Sequence, residues 1–190
     1  MLLNNLRIKI LEEFLRDYSL KTTGSSIAKK KNLNQKSVSN ALNEMENENI
    51  LKSRIEGRNK LYCLNLENKS QIQSYLIAVE SLRTFSFYEK NPIIKEIISK
   101  IGTNILIIFG SYAKNLQKKD SDLDLLAIGS YEEKNIKELE KIYNLEINIK
   151  KYDISIFKSP DHLFKEVIKD HIIAKGGEDF VKNLLENGNN

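Results

Sequence analysis

The sequence predicts an α+β fold built as two domains, and three observations carry that expectation. The first 66 residues hold three helical patterns and then two short strand-like runs around a glycine turn. The second half alternates buried strand-like runs with helical patterns. Between the halves, residues 68–90 keep helical spacing (Ile72, Tyr75, Leu76, Val79, Leu82) until Asn91 and Pro92, where a proline suits the first turn of a new helix. The expected boundaries are therefore a first domain over 1–66, a helical connector over 67–92 and a small mixed-sheet domain over 93–190. At 190 residues and 41% hydrophobic content, the chain can pack two small cores.

In the first domain, Leu6, Ile8, Ile10, Leu11, Phe14 and Leu15 form a helical stripe within residues 3–18. The polar stretch Lys21 to Gly24 reads as a break. Ser25 or Ser26 can cap a short helix through Lys30, with Ile27 and Ala28 facing inward. Asn34 can cap a third helix, in which Val38, Leu42 and Met45 follow i, i+4, i+7 spacing. Ile50 to Ile55 and Lys60 to Leu66 flank the turn Glu56-Gly57-Arg58-Asn59, the sequence form of a β-hairpin. Cys63, between Tyr62 and Leu64, is expected to be a small buried side chain.

The stretch SSIAKKKNLNQKSVSNALNEMENENILKSRIEGRNKLYCLN resembles the winged helix-turn-helix family in its spacing. That resemblance implies DNA binding by the helix before the hairpin. Gln35, Lys36, Ser39 and Asn40 lie off its core stripe; Gln and Asn can pair with adenine edges and Lys can reach guanine or phosphate. Arg54, Arg58 and Lys60 in the hairpin would touch the DNA backbone or minor groove, and Lys29, Lys30 and Lys31 add charge before the turn. Glu44, Glu46 and Glu48 repel DNA at the far end of the helix, so only its beginning can dock. The bland alternative is a protein-interaction or dimerisation module. Winged-helix proteins often bind palindromic sites as dimers, so a homodimer is expected, formed through residues 68–90.

The second domain opens with a helix over Ile93 to Ile101, closed by Gly102. Ile105 to Phe109 is a buried strand, Asp122 to Ile128 a second, Glu132 to Tyr143 a helix, and Glu146 to Phe157 a third strand region. Ser159-Pro160-Asp161 starts a helix running to about Ala174, and Gly176-Gly177 precedes a last helix around Phe180 to Leu185. Phe85, Phe87 and Tyr88 are read as interdomain packing.

The informative segment is ILIIFGSYAKNLQKKDSDLDLLAIG. Asp122 and Asp124, two apart on a strand, present two carboxylates on one face. Held that close they repel, and a hard divalent cation, Mg²⁺ above all, is the natural counter-ion. After the first strand, Gly110 lets backbone approach a bulky anion, and Ser111 adds a hydroxyl and an N–H. A phosphate cradle beside a metal-binding pair is the equipment of phosphoryl or nucleotidyl transfer.

These residues, GSYAKN followed by DSDLDLL, resemble the signature of the polymerase-β nucleotidyltransferase superfamily, and in particular its short, minimal branch. The resemblance covers about residues 93–175. It implies that Gly110 and Ser111 hold the β- and γ-phosphates of ATP or another nucleoside triphosphate, and that Asp122 and Asp124 ligate two Mg²⁺ ions. The family usually has a second glycine at Asn115; asparagine tolerates the left-handed backbone better than most residues. Lys114, with Lys118 and Lys119, is placed to steer the triphosphate. The family also expects a third carboxylate, as base or metal ligand, on a later strand. Two placements compete. Asp153, in YDISIF, shares a strand face with Ser155 and is the favoured reading; Asn148, in EINI, would remove the carboxylate.

On that reading Asp153 orients or deprotonates an acceptor hydroxyl, which attacks the α-phosphorus of ATP, with AMP transferred and pyrophosphate leaving. Minimal-branch members often serve as antitoxins that modify a small partner toxin, so a protein acceptor is expected. The rival expectation is a DNA-binding regulator whose transferase fold is silent or only senses nucleotide. The lone Cys63 excludes disulfides and multi-cysteine metal sites and suits the cytoplasm. No apolar run reaches the roughly 20 residues that span a bilayer, so no membrane partner is expected. His162 and His171 form no ligand cluster.

Overall fold

The structure, a computed structural model, describes residues 4–187. The chain divides into two compact units, one up to Val79 and one from Glu80.

The first unit begins with α1 (Asn5–Leu15), capped by the Asn4 side chain, which accepts from the Arg7 N–H. Thr22–Thr23 form a short strand, β1, where a simple break was expected. Thr23, not Ser25 or Ser26, caps α2 (Gly24–Lys30) by accepting from the Ser26 N–H. Asn34 caps α3 (Gln35–Asn47) as expected, accepting from the Ser37 N–H. The hairpin is β2 (Leu51–Glu56) and β3 (Asn59–Leu64), turning through Gly57 at φ +59°. With β1 it makes an antiparallel sheet of order β1-β3-β2.

Ile10, Leu11, Phe14, Leu15, Val38, Leu42 and Met45 are all buried, which is the burial the helical stripes call for. The hairpin alternation has the opposite parity to the expectation for Cys63: Tyr62 and Leu64 are the buried pair, and Cys63 is half-buried. Two ion-pair clusters tie α1 to its neighbours. The buried Arg7 guanidinium reaches Glu44 at 2.7 Å and Glu48 at 3.0 Å on α3. Glu13, also buried, takes Lys30 and Lys31, and Lys31 pairs with Glu12 as well.

One helix, α4 (Lys69–Lys90), belongs to both units. Its second half, from Glu80, begins the second unit, followed by α5 (Pro92–Lys100), β4 (Ile105–Ile108), α6 (Gly110–Ala113) and β5 (Leu123–Ile128). Then come α7 (Glu133–Tyr143), β6 (Ile147–Tyr152), a 3-10 turn at Ile154–Phe157, α8 (His162–Lys169), β7 (Ile172–Lys175) and α9 (Gly177–Asn187). The sheet order is β6-β5-β4-β7; β5 and β6 run parallel, joined by the α7 crossover, and the other pairs are antiparallel.

Leu106, Ile108, Leu123, Leu125, Ala127 and Ile147 line one face of this sheet with Ile94, Ile97, Ile98, Ile136 and Leu139 of α5 and α7. Phe87 is buried in the same cluster and Tyr88 packs on it, so these rings belong to the second unit's core; Phe85 is exposed. A further aromatic core stacks Phe157 edge-on against Phe164 and packs it against Phe180.

Two sequence expectations are corrected here. The third strand ends at Tyr152 instead of running to Phe157, because Asp153 accepts from the Ser155 N–H and starts the 3-10 turn. The helix after Asp161 ends at Lys169, and Ile172–Lys175 is a strand whose two β-branched isoleucines pair with β4. Side chains of α4 cover this strand: Arg83 donates to the His171 carbonyl at 2.8 Å, Thr84 to Ile173 at 2.9 Å and Tyr88 to Ala174 at 3.2 Å. No helix among the described residues is long and apolar enough to cross a membrane.

Candidate active site

The strand β4 is fully buried, and its ladder with β5 continues one step further, where the Phe109 N–H donates to the Asp124 carbonyl at 3.0 Å. This bond sets Gly110 directly beside Asp124. Gly110 has φ +69°, and a Cβ built there would lie 2.2 Å from the Asp124 carboxylate oxygen. Glycine permits both the backbone angle and the approach without moving the carboxylate. Ser111 follows at the head of the short α6, half-buried. After α6, Asn115 sits at φ +54°, the left-handed conformation that asparagine was expected to tolerate there.

Asp122 immediately precedes β5 and Asp124 lies within it, both half-buried. Burial raises the Asp124 carboxyl above its ordinary range, and the Asp122 charge raises it further; hydrogen bonding from Asn148 offsets part of this. Two crowded, partly desolvated carboxylates of this kind suit a hard cation held by oxygen ligands. Asp122 and Asp124 would hold it, and the amide oxygen of Asn148 is a further donor of the same hardness.

The residue opposite the pair is Asn148. The parallel register sets Asp124 against Asn148, and the Asn148 amide makes a long contact of 3.5 Å with the Asp122 carboxylate. Asp153, the favoured third carboxylate, is placed elsewhere. It follows β6 at the end that pairs with Ile128, five residues along from Asn148, or about 16 Å at strand rise. Its carboxylate caps the 3-10 turn, which holds it below the usual range. Among the described residues no three His, Cys, Asp or Glu side chains gather into a metal-binding group. The structure therefore brings Asp122 and Asp124 together with Asn148 and does not bring Asp153 to them. The signal was present in EINIKKY: the buried Ile147 and half-buried Ile149 alternate with Asn148 and Lys150, which must therefore face the aspartates.

Lys114 is exposed at the end of α6; on α8 the hydrogen bond from Lys169 holds Glu166 below the usual range, with a small further contribution from the Lys114 charge. Lys118 and Lys119 are exposed in the following loop.

In the first unit, Gln35, Lys36, Ser39 and Asn40 are all exposed on α3. A groove of about 350 Å³ is lined by Gln35, Ser39 and Asn43 of α3, Thr23 and Ser25, and Arg58, Lys60 and Tyr62 of the hairpin. The hairpin cations differ in their freedom. Lys60 is bound to Glu46 at 2.6 Å and to the Asn43 amide oxygen at 3.1 Å, Arg54 pairs with Glu56, and Arg58 stands exposed at the turn. Lys30 and Lys31 are held by α1 glutamates, which the linear sequence gave no way to see.

Residues 91–175 match the family model described as a nucleotidyltransferase domain. Over 74 residues the chain is 36% identical to a Methanocaldococcus jannaschii protein named "Putative protein adenylyltransferase", a stretch that makes up 38% of this chain and 56% of that relative. The chain thus spans little more than half the length of the relative it matches. Gly110, Ser111, Asp122, Asp124 and Asn148 all fall inside residues 91–175, so the segment that carries the site is similar to nucleotidyltransferase domains.

Proposed function

We propose that this chain is a Mg²⁺-dependent nucleotidyltransferase that moves AMP from ATP to a protein acceptor in the cytoplasm, while its first unit binds DNA as a winged helix. The observation that carries the reading is the contact of Gly110 with Asp124, which sets a glycine-serine turn against a crowded carboxylate pair. Gly110 and Ser111 offer backbone N–H groups and a hydroxyl to the triphosphate, with Lys114 beside them. Asp122 and Asp124 hold Mg²⁺, which supplies charge stabilisation at the reacting phosphate. The name of the archaeal relative supports a protein acceptor, and a partner toxin fits that class.

For DNA, the exposed Gln35, Lys36, Ser39 and Asn40 are the base-reading set, with Arg58 on the backbone. Arg54 and Lys60 join only when their glutamate pairs open. A homodimer on a palindromic site completes this reading.

A second reading is favoured by Asn148, an amide where a general base is needed: a DNA-binding regulator whose transferase fold senses nucleotide without turning it over. The experiment is incubation of the protein with α-³²P-ATP, Mg²⁺ and cell lysate, beside an Asp122→Ala, Asp124→Ala double variant and Asn148→Asp. Transfer by wild type and none by the double variant supports the transferase, with Asn148→Asp faster by roughly 10²- to 10⁴-fold through the restored base. A silent wild type with an active Asn148→Asp supports the regulator. Label from neither overturns the transferase reading.

A further inference from the structure

Sheet order divides the site into two flanks. Gly110 and Ser111 follow β4 on one side of the aspartate pair, and β6 lies on the other. In the nucleotidyltransferase reading, on which this inference rests, the departing pyrophosphate is held at the Gly110–Ser111 flank. Phosphoryl displacement runs in line, so the attacking oxygen enters from the opposite side. The acceptor flank is therefore β6.

The side chains of β6 on that flank are fixed by register and alternation. Asn148 faces the pair, as its contact with Asp122 shows, and Tyr152 donates to Asp161 at 2.6 Å. Lys150 lies between them, paired with Leu126, on the same face and about 7 Å along the strand from Asn148. It is exposed, and no carboxylate is within ion-pair distance of it among the described residues. Lys151 is exposed as well but alternates onto the face of Ile147 and Ile149. Lysines on an edge strand also serve to discourage edge-to-edge pairing, and either one meets that need.

We infer that Lys150 is the acceptor-positioning residue of this site, recruiting an acceptor that carries negative charge beside its attacking oxygen. In the step itself a bond forms between that oxygen and the α-phosphorus, the bond from the α-phosphorus to the bridging oxygen breaks, and pyrophosphate leaves. Any proton on the acceptor oxygen passes to water, since Asn148 accepts none. A cation beside the incoming oxygen stabilises its ionised form, which is the help such a flank can give in place of a base.

The test compares wild type with Lys150→Gln, Lys150→Arg and Lys151→Gln in two measurements. One is the initial rate of label transfer from α-³²P-ATP to limiting lysate; the other is equilibrium binding of ATP with Mg²⁺. Lys150→Gln is expected to lower the transfer rate about two- to fivefold, the scale of an exposed charge pair. ATP affinity stays unchanged, Lys150→Arg keeps most of the rate, and Lys151→Gln matches wild type. Equal transfer by Lys150→Gln overturns the inference while leaving the transferase reading intact. Equal loss in Lys151→Gln, or a parallel loss of ATP affinity, overturns it too, pointing to general surface charge or to the nucleotide subsite. A wild type that neither binds ATP nor transfers label removes the transferase reading and this role with it.

Discussion

Two carboxylates of the second unit, Glu80 and Asp124, have been taken out of water in opposite ways. Glu80 on α4 is almost fully buried, yet it is surrounded by partners: the His171 ring at 3.0 Å and the Arg83 guanidinium at 2.9 Å. Burial pushes its carboxyl up, but His171 and then Arg83 outweigh burial and hold it below the usual range. Asp124 is only half-buried, but its near neighbours are another carboxylate, a glycine and a long-range amide, and its carboxyl is pushed up. A buried charge that is fully partnered is costly to strip of its partners; one left short of them is available for a ligand. The contrast separates a structural carboxylate from a candidate functional one without reference to any relative.

The largest expected effect belongs to the unpartnered member. On the transferase reading, Asp124→Asn removes a proposed cation ligand and should lower transfer by roughly 10³-fold, the scale on which transition-state charge stabilisation is lost. The same change should raise the melting temperature. The sign follows from the raised carboxyl: the folded state binds the proton more readily than the unfolded chain, so stability falls as pH rises through that range, and the neutral amide escapes the penalty. A melting temperature that drops instead would show that Asp124 is structural and erase the contrast with Glu80.

Glu80→Gln should behave in the reverse manner. Leaving His171 and Arg83 without their carboxylate should cost about 3 kcal/mol, near the lower end of what breaking a buried pair costs. A depressed carboxyl contributes stability above its unfolded pKa and loses it as pH falls through the folded one. The gap between wild type and variant in urea unfolding should therefore be full at neutral pH and close under acid conditions, below the ordinary glutamate range. A gap that persists in acid would assign the loss to packing and not to charge.

The two regions also differ in how much of them was visible in the sequence. Asp122, Asp124, Gly110 and Ser111 are neighbours in a short stretch whose buried strands announce themselves, so the pair and its glycine were legible. Glu80 and His171 are 91 residues apart, and nothing local predicts their meeting. The misplaced third position has a more particular cause. YDISIF alternates as well as INIKKY does, and periodicity alone cannot tell a strand from the Asp-capped 3-10 turn that Asp153 makes with Ser155. The strand β7 was lost for a related reason, because IIAK extends the helical spacing of α8 and only its pairing with β4 decides against a helix. In the first unit, the hairpin and the capped α3 were legible from turn and capping residues. The pairing of Lys60 with Glu46 was not, since it depends on how α3 lies against the hairpin.

The smallest expected effect is that of Asn115, which shares a turn of the candidate site with Gly110; these two left-handed residues differ in the reason for their conformation. Gly110 is held at positive φ with the Asp124 carboxylate against it, so Gly110→Ala must both strain the backbone and push the carboxylate away. A cost of about 1–3 kcal/mol is expected, with transfer lost along with Asp124's position. Asn115 has the same backbone hand but is exposed, and asparagine tolerates that conformation. Asn115→Gly should therefore leave stability within about 0.5 kcal/mol, its relief of backbone strain offset by the greater freedom it gives the unfolded chain. Transfer should be unchanged. Chemical unfolding and the labelling assay on both variants decide the matter: if Asn115→Gly altered transfer as much as Gly110→Ala, the turn as a whole would be responsible, and the Gly110–Asp124 contact would no longer be what sets Asp124 apart from Glu80.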